Sequence, residues 1–272
     1  MMWWEHFGAR SAPFTRNVAV ETLFLSPPLA ECQARLQAVI RERGVLAVTG
    51  ESGVGKTTAL RATVAALPPS QFLSVYLPAQ EDWTPRVFYR ALAYELALLP
   101  SPFALETERA VRQTLWTMVT QQNRVPLILL DEAHLLSPHL LQSLRHLLNF
   151  AMDSTAPLVL ILVGHTELRR KLSLRPLEAL RQRITIAYQV RPLTAAETTA
   201  YVTHHLHQVG IDRALFTETA LKSGWDWSQG IPRRINAWAT ACLLAAYGGQ
   251  QPLIDEAVVA TAPEELQWAG PV

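Results

Sequence analysis

Residues 50–57 read GESGVGKT, which places Gly50, Gly55, Lys56 and Thr57 at the spacing G-x-x-x-x-G-K-[ST]. Glycines in such a run let the backbone curl so that successive N–H groups face inward. A helix opening at Lys56 adds the positive end of its dipole. The cradle suits phosphate, and its set is Gly50, Glu51, Ser52, Gly53, Val54, Gly55, Lys56, Thr57 and Thr58. Lys56 is spaced to reach the terminal phosphates of a nucleoside triphosphate such as ATP, and the Thr57 hydroxyl to ligate Mg²⁺. The alternative is a chance match in a glycine turn. The apolar run before the loop and the helical pattern after it count against that. A second candidate is LILLDE at 127–132. An apolar strand ending in acids would deliver them to the carboxyl edge of a sheet, where phosphates bind. Asp131 is then placed to hold Mg²⁺ through water, and Glu132 to polarise an attacking water. A solvated acidic pair closing a strand is the alternative.

Histidines invite a metal or base assignment and support it poorly. His134 follows the acids as Asp-Glu-Ala-His, where a packing or hydrogen-bonding role competes with a ligand or base. Of His204, His205 and His207, only His204 and His207 share a helical face, and no third ligand accompanies them. A solvated helical face accounts for them.

The elements that must position these residues follow from periodicity. Apolar spacing predicts a helix over 30–41 and a strand over 45–49. It then predicts a helix over 56–67, stopped by Pro68 and Pro69, and a strand over 72–77. Helices over 84–99 and 106–122 precede a continuous apolar run at 126–130, as expected of a strand buried on both faces. Ser137 and Pro138 read as an N-cap and first helical residue, opening a helix to about Ala151. Strands at 157–163 and 184–190 flank a helical stretch at 177–182. This alternation argues for an α/β fold with a parallel sheet flanked by helices. After Pro192 only helices are expected. The first opens at Thr194 with Glu197 as a capping box, and others lie near 215–222, 231–247 and 254–262. The expected organisation is an N-terminal aromatic segment over 1–22 packed on the body, a nucleotide-binding domain over 23–190, and a small all-helical lid domain over 191–272.

Composition bounds the function. The 272 residues carry 24 Lys+Arg against 23 Asp+Glu, a formal charge of +1. A strongly basic nucleic-acid binder is excluded on bulk charge, though a local basic groove is not. Two cysteines, Cys32 and Cys242, exclude a disulfide scaffold and suggest no metal site. No apolar run reaches the roughly 18 residues of a membrane helix, and the start MMWWEHFGAR shows no secretory signal. A cytoplasmic protein without a membrane partner is expected.

Taken in order, these residues resemble an AAA+ P-loop ATPase, and more closely the ExeA/TniB/TnsC group, over nearly the whole chain. Trp4-Glu-His-Phe7-Gly8 through Ala12-Pro13-Phe14 resembles the opening of ExeA-like proteins, and Phe24-Leu-Ser-Pro27 their lead into the first helix. Asp131 to Leu136, Leu147 to Phe150 and Leu162 to Leu168 are similar to the family's path from Walker B to sensor 1. Gly230-Ile-Pro-Arg233-Arg234-Ile-Asn236 resembles sensor 2. The resemblance implies five catalytic positions. They are Lys56 and Glu132, His165 at sensor 1, Arg183 as an arginine finger reaching a neighbouring subunit's site, and Arg233 reading the nucleotide in cis. His165 departs from the Gln or Thr that the family often places there. Arg181 is the second candidate for the finger, and either arginine could instead form a surface ion pair.

A finger acting in trans implies self-assembly into a ring or helical filament. Within the group, the resemblance to the stand-alone members implies a transposition regulator that assembles with ATP on duplex DNA and recruits or stimulates a transposase. The alternative is an ExeA-like switch in secretion or envelope assembly. The family places DNA contacts after its second strand, here Trp83, Thr84 and Arg86. The same residues also read as a helix N-terminus, with Thr84 the cap, Pro85 at the first helical position and Trp83 packed before it.

Overall fold

The computed structural model describes residues 2–15, 18–150 and 156–262. Its sheet has five parallel strands: β1 (Val45–Thr49), β2 (Phe72–Pro78), β3 (Val125–Asp131), β4 (Val159–Gly164) and β5 (Ile184–Gln189). Their order is β2-β3-β4-β1-β5. Every residue of β1, β3 and β4 is buried, which is why these strands are unbroken apolar runs; edge strand β5 alternates. Parallel neighbours need crossovers, and helices supply them. These are α2 (Lys56–Ala65) after β1, then α3 (Pro85–Glu95) and α4 (Ala104–Thr120) after β2. Next come α5 (Pro138–Leu148) after β3, and α6 (Glu167–Leu172) with α7 (Glu178–Arg181) after β4; α1 (Pro27–Glu42) precedes the sheet.

The order decides the site. β4 lies between β1 and β3, so the turns that leave β1, β4 and β3 open side by side at one carboxyl edge, where ligands bind in open parallel sheets. Fully buried Phe88, Leu92, Leu115, Leu140 and Leu144 hold α3, α4 and α5 on this scaffold. Truncating one of these leucines to alanine should cost about 2–5 kcal/mol.

The chain divides into two compact units. One comprises Met1–Ala30, Gly53–Gly55 and Arg191–Val272; the other comprises Glu31–Ser52 and Lys56–Val190. The first unit is built on α8 (Ala195–Gln208), α9 (Glu218–Ser228), α10 (Pro232–Gly248) and α11 (Glu256–Thr261). Its core takes Phe7, Ala9 and Phe14 together with Leu193, Val202, Trp238 and Ile254. The Arg10 N–H donates to Val209 O at 2.9 Å, and His6 meets the Tyr247 ring edge-on at 5.6 Å. The aromatic segment therefore does not stand apart. Residues 23–30, grouped by sequence with the nucleotide-binding part, cluster with these helices. Four short helices bury little apolar surface alone, and the N-terminal aromatics add to it.

Local boundaries differ where capping decides them. The stretch expected as a helix over 215–222 runs from 218 to 228, because Thr217 caps it by accepting the Ala220 N–H at 3.2 Å. Helix α5 ends at Leu148, and Ala151 lies outside the described residues. Helix α6, unseen in the sequence, is only six residues long.

Candidate active site

The loop between β1 and α2 has Gly53 at φ +83° and Gly55 at φ +106°, conformations that favour glycine. A Cβ on Gly53 would also stand 2.5 Å from the Arg233 Cβ. Gly53 groups with the helical unit, where the Arg233 N–H donates to its carbonyl at 3.3 Å. Lys56 is 8% exposed, and its ammonium donates to Gly50 O at 2.9 Å and Glu51 O at 3.0 Å. The Lys56 charge is thus held at the mouth of the loop by backbone dipoles.

The end of β3 gathers more. Asp131 is 3% exposed, and its carboxylate accepts three hydrogen bonds, each of 2.9 Å. Thr57 Oγ1 and the Tyr76 hydroxyl donate to Oδ2, and the Glu132 N–H donates to Oδ1. Burial first, then the hydrogen bond to Asp131 and its negative charge, pushes the Tyr76 phenol up to about 12, so it stays a donor. Glu132 adopts a left-handed backbone (φ 53°, ψ 32°), and its side chain is half exposed. A non-glycine residue in that region is strained, a feature common where a side chain is aimed for function.

The end of β4 lies next to it. His134 pushes against Gly164, where a Cβ would meet the His134 backbone N at 3.0 Å. The His165 N–H donates to His134 Nδ1 at 3.3 Å. Burial lowers the His134 pKa, with Glu132 opposing, and a neutral ring accepting at Nδ1 follows. Glu132 Oε2, 3.3 Å from the same nitrogen, is then a neighbour, not an ion-pair partner. Lys171 clamps this turn from α6 by donating to His134 O and Leu136 O. The His165 ring pairs with the loop instead: Nε2 lies 3.0 Å from Glu51 Oε2, and Nδ1 lies 3.2 Å from Oγ1 of the next residue, Thr166.

The other candidates are dispersed. Arg183 Nη1 donates to Ala179 O at 3.2 Å, and Arg181, ending α7, is exposed. His204 bonds Thr22 O through Nε2 at 2.9 Å, and His207 Nδ1 lies 2.7 Å from Asp212. Among the described residues no group of three His, Cys, Asp or Glu stands together. The expected DNA set takes packing and capping places in this fold. Trp83 is 9% exposed and packs in the core 6.4 Å from Phe88, so its ring is not offered to a sugar or base. Thr84 caps α3, its hydroxyl accepting the Val87 N–H at 3.3 Å. Arg86 is exposed and donates to Pro102 O at 3.1 Å.

Sequence reasoning missed Tyr76 and the Glu51–His165 pair. Tyr76 pairs in register with Leu129, which no local pattern encodes. The cation side fits Mg²⁺ by its chemistry: a carboxylate and a hydroxyl oxygen are hard donors. The Thr57 hydroxyl donates its hydrogen bond to Asp131, which leaves its oxygen lone pairs for a cation.

The comparisons agree with this geometry. Residues 39–172 match the family model described as an AAA domain. The chain is 31% identical over 252 residues to General secretion pathway protein A of Aeromonas hydrophila; the match covers 90% of this chain and 45% of that protein. The chain thus spans about half the length of that curated relative. It is similar in fold to Cdc6p of Pyrobaculum aerophilum (TM-score 0.67, 17% identity, 93% of this chain and 70% of that one). It is also similar to the Aeropyrum pernix ORC1 protein in complex with DNA (TM-score 0.63, 15% identity, 90% and 67%). Sheet order and phosphate loop fit the AAA domain that residues 39–172 match.

Proposed function

We propose that the chain is an ATP-driven assembly switch whose site is completed by a neighbouring copy. The observation that carries this is the convergence of Thr57, Asp131 and Glu132 beside a loop that holds Lys56. In this reading the loop N–H groups and Lys56 bind the phosphates, and Thr57 with Asp131 holds Mg²⁺. The cation supplies charge neutralisation across the terminal phosphates. Glu132 accepts a proton from the attacking water as that water's oxygen bonds to the γ-phosphorus and the bond to the bridging oxygen breaks. ADP and phosphate leave. His165 faces the γ-phosphate, Arg233 reads the nucleotide in its own subunit, and Arg183, with Arg181 second, reaches into the neighbour's site to stabilise the developing charge. ATP then favours the assembled state, and hydrolysis loosens it.

For the target, the relative named for the general secretion pathway favours a protein assembly, because the match runs over 90% of this chain. A DNA-bound regulator of transposition acting on a transposase is the second reading. It rests on the resemblance of the motif series from Asp131 to Asn236 to the group that includes the regulators. Burial of Trp83 counts against the aromatic part of its candidate interface. A cytoplasmic location accompanies both, and no helix among the described residues is long and apolar enough to cross a membrane.

Electron microscopy of the purified chain with a slowly hydrolysed ATP analogue, with and without duplex DNA, separates the two. Nucleotide-dependent rings or filaments that ignore DNA support the protein switch. Assemblies formed only on DNA with nucleotide, and dissolved by salt, support the regulator. No assembly under any condition sinks the switch itself.

A further inference from the structure

Asp131 can serve a cation only if its carboxylate is held in one orientation, because the terminal torsion of an aspartate is broad and two-fold. Thr57 and the Glu132 N–H each hold one oxygen, but both residues have other duties in this reading: Thr57 as a ligand and Glu132 as the base. Tyr76 has neither duty. It sits on edge strand β2, whose ladder to β3 runs unbroken from Phe72 opposite Val125 to Pro78 opposite Asp131. Its ring has two torsions and a fixed base, and its hydroxyl meets Asp131 Oδ2 at 2.9 Å, 55 residues away in sequence. Ala79 N–H donating to Asp131 O at 2.9 Å locks the backbone at the same point.

We propose that Tyr76 is a positioning residue for Mg²⁺, holding the Asp131 carboxylate in place from the neighbouring strand so that Thr57 can turn its lone pairs to the cation. The proposal rests on the assignment of Thr57 and Asp131 to the cation side. Tyr76 touches neither substrate nor cation in it. Outer partners of metal ligands typically change affinity about 10–100-fold when removed. Tyr76 is half exposed, so water can take part of its place, and the effect should fall at the low end, about five- to tenfold.

The test is binding of a fluorescent ATP analogue as free Mg²⁺ is titrated, comparing wild type, Tyr76→Phe and Thr57→Ala. Y76F removes one oxygen and keeps the ring. Its affinity in EDTA should match wild type within about twofold, while half-saturating Mg²⁺ rises about fivefold. The shift should be smaller with Ca²⁺, whose coordination tolerates looser geometry than the near-octahedral shell of Mg²⁺. A merely structural tyrosine would lower the melting temperature and weaken binding equally with and without cation, and that result overturns the proposal. So does a Y76F titration that overlays wild type while T57A shifts. If T57A also leaves the Mg²⁺ titration unmoved, the cation assignment itself fails and the proposal falls with it.

Discussion

The end of β3 and the end of β2 are both polar runs after a strand, at the same edge of the same sheet. Both attract a functional assignment from sequence. The structure treats them differently. Asp131 takes two of its three carboxylate partners from far along the chain: Thr57 lies 74 residues away and Tyr76 lies 55 away. Thr84 finds its partner three residues on, at the Val87 N–H, and the Trp83 N–H donates to the nearby Gln80 O. Polar groups satisfied locally close a helix, and their side chains have little left to offer a ligand. Polar groups that draw partners from distant elements make a site, because the fold must bring those partners together. The capping box on α8 is of the first kind, with Arg191, Thr194 and Glu197 within a few residues of one another.

That contrast can be broken at either end. The largest effect belongs to Glu132→Gln, which should lower phosphate release about 10²–10⁴-fold while a fluorescent ATP analogue still binds. An E132Q protein that turns over like wild type would make the end of β3 no more catalytic than the end of β2. Lys56→Ala follows, with nucleotide affinity falling about 30-fold or more by the same titration, since a buried charge partner is removed. At the end of β2 the effects should fall on stability alone. Trp83→Ala should cost about 3–5 kcal/mol in denaturant unfolding, as a buried aromatic does. At a temperature where it remains folded, nucleotide binding should hold. Thr84→Ala should cost about 1 kcal/mol, the value of a lost cap. If either variant instead abolished an ATP-dependent interaction without loss of stability, the run from Trp83 to Arg86 would be a functional surface after all.

The smallest effect is pH-linked. Arg191 first, then the Thr194 N–H, holds the Glu197 carboxyl down at about 2, against an ordinary 4.5. A depressed carboxyl adds stability that is full above its unfolded value and is lost as pH falls toward its folded one. Glu197→Gln should therefore cost about 1 kcal/mol near neutrality. The gap from wild type in melting temperature should close between pH 4.5 and 2. A gap independent of pH would mean that the side chain's packing, not its charge, supports α8.

Local chemistry made much of this molecule legible. Strands β1, β3 and β4 stand out as continuous apolar runs because both faces are covered. The phosphate loop reads directly because its glycines, lysine and threonine are contiguous in sequence. Ser137 and Thr194 announce their helices because a cap needs only a hydroxyl and an N–H three residues on. The α/β class follows from these signals. Tertiary structure alone decided the rest. Strand order brought the turns after β1, β4 and β3 together, set Tyr76 against Asp131, and paired Glu51 with His165. It also gave Trp83 to one core and the N-terminal aromatics to another. None of these has a local signature. Each depends on which strand lies beside which and in what register, and that is set by burying apolar surface across the whole chain.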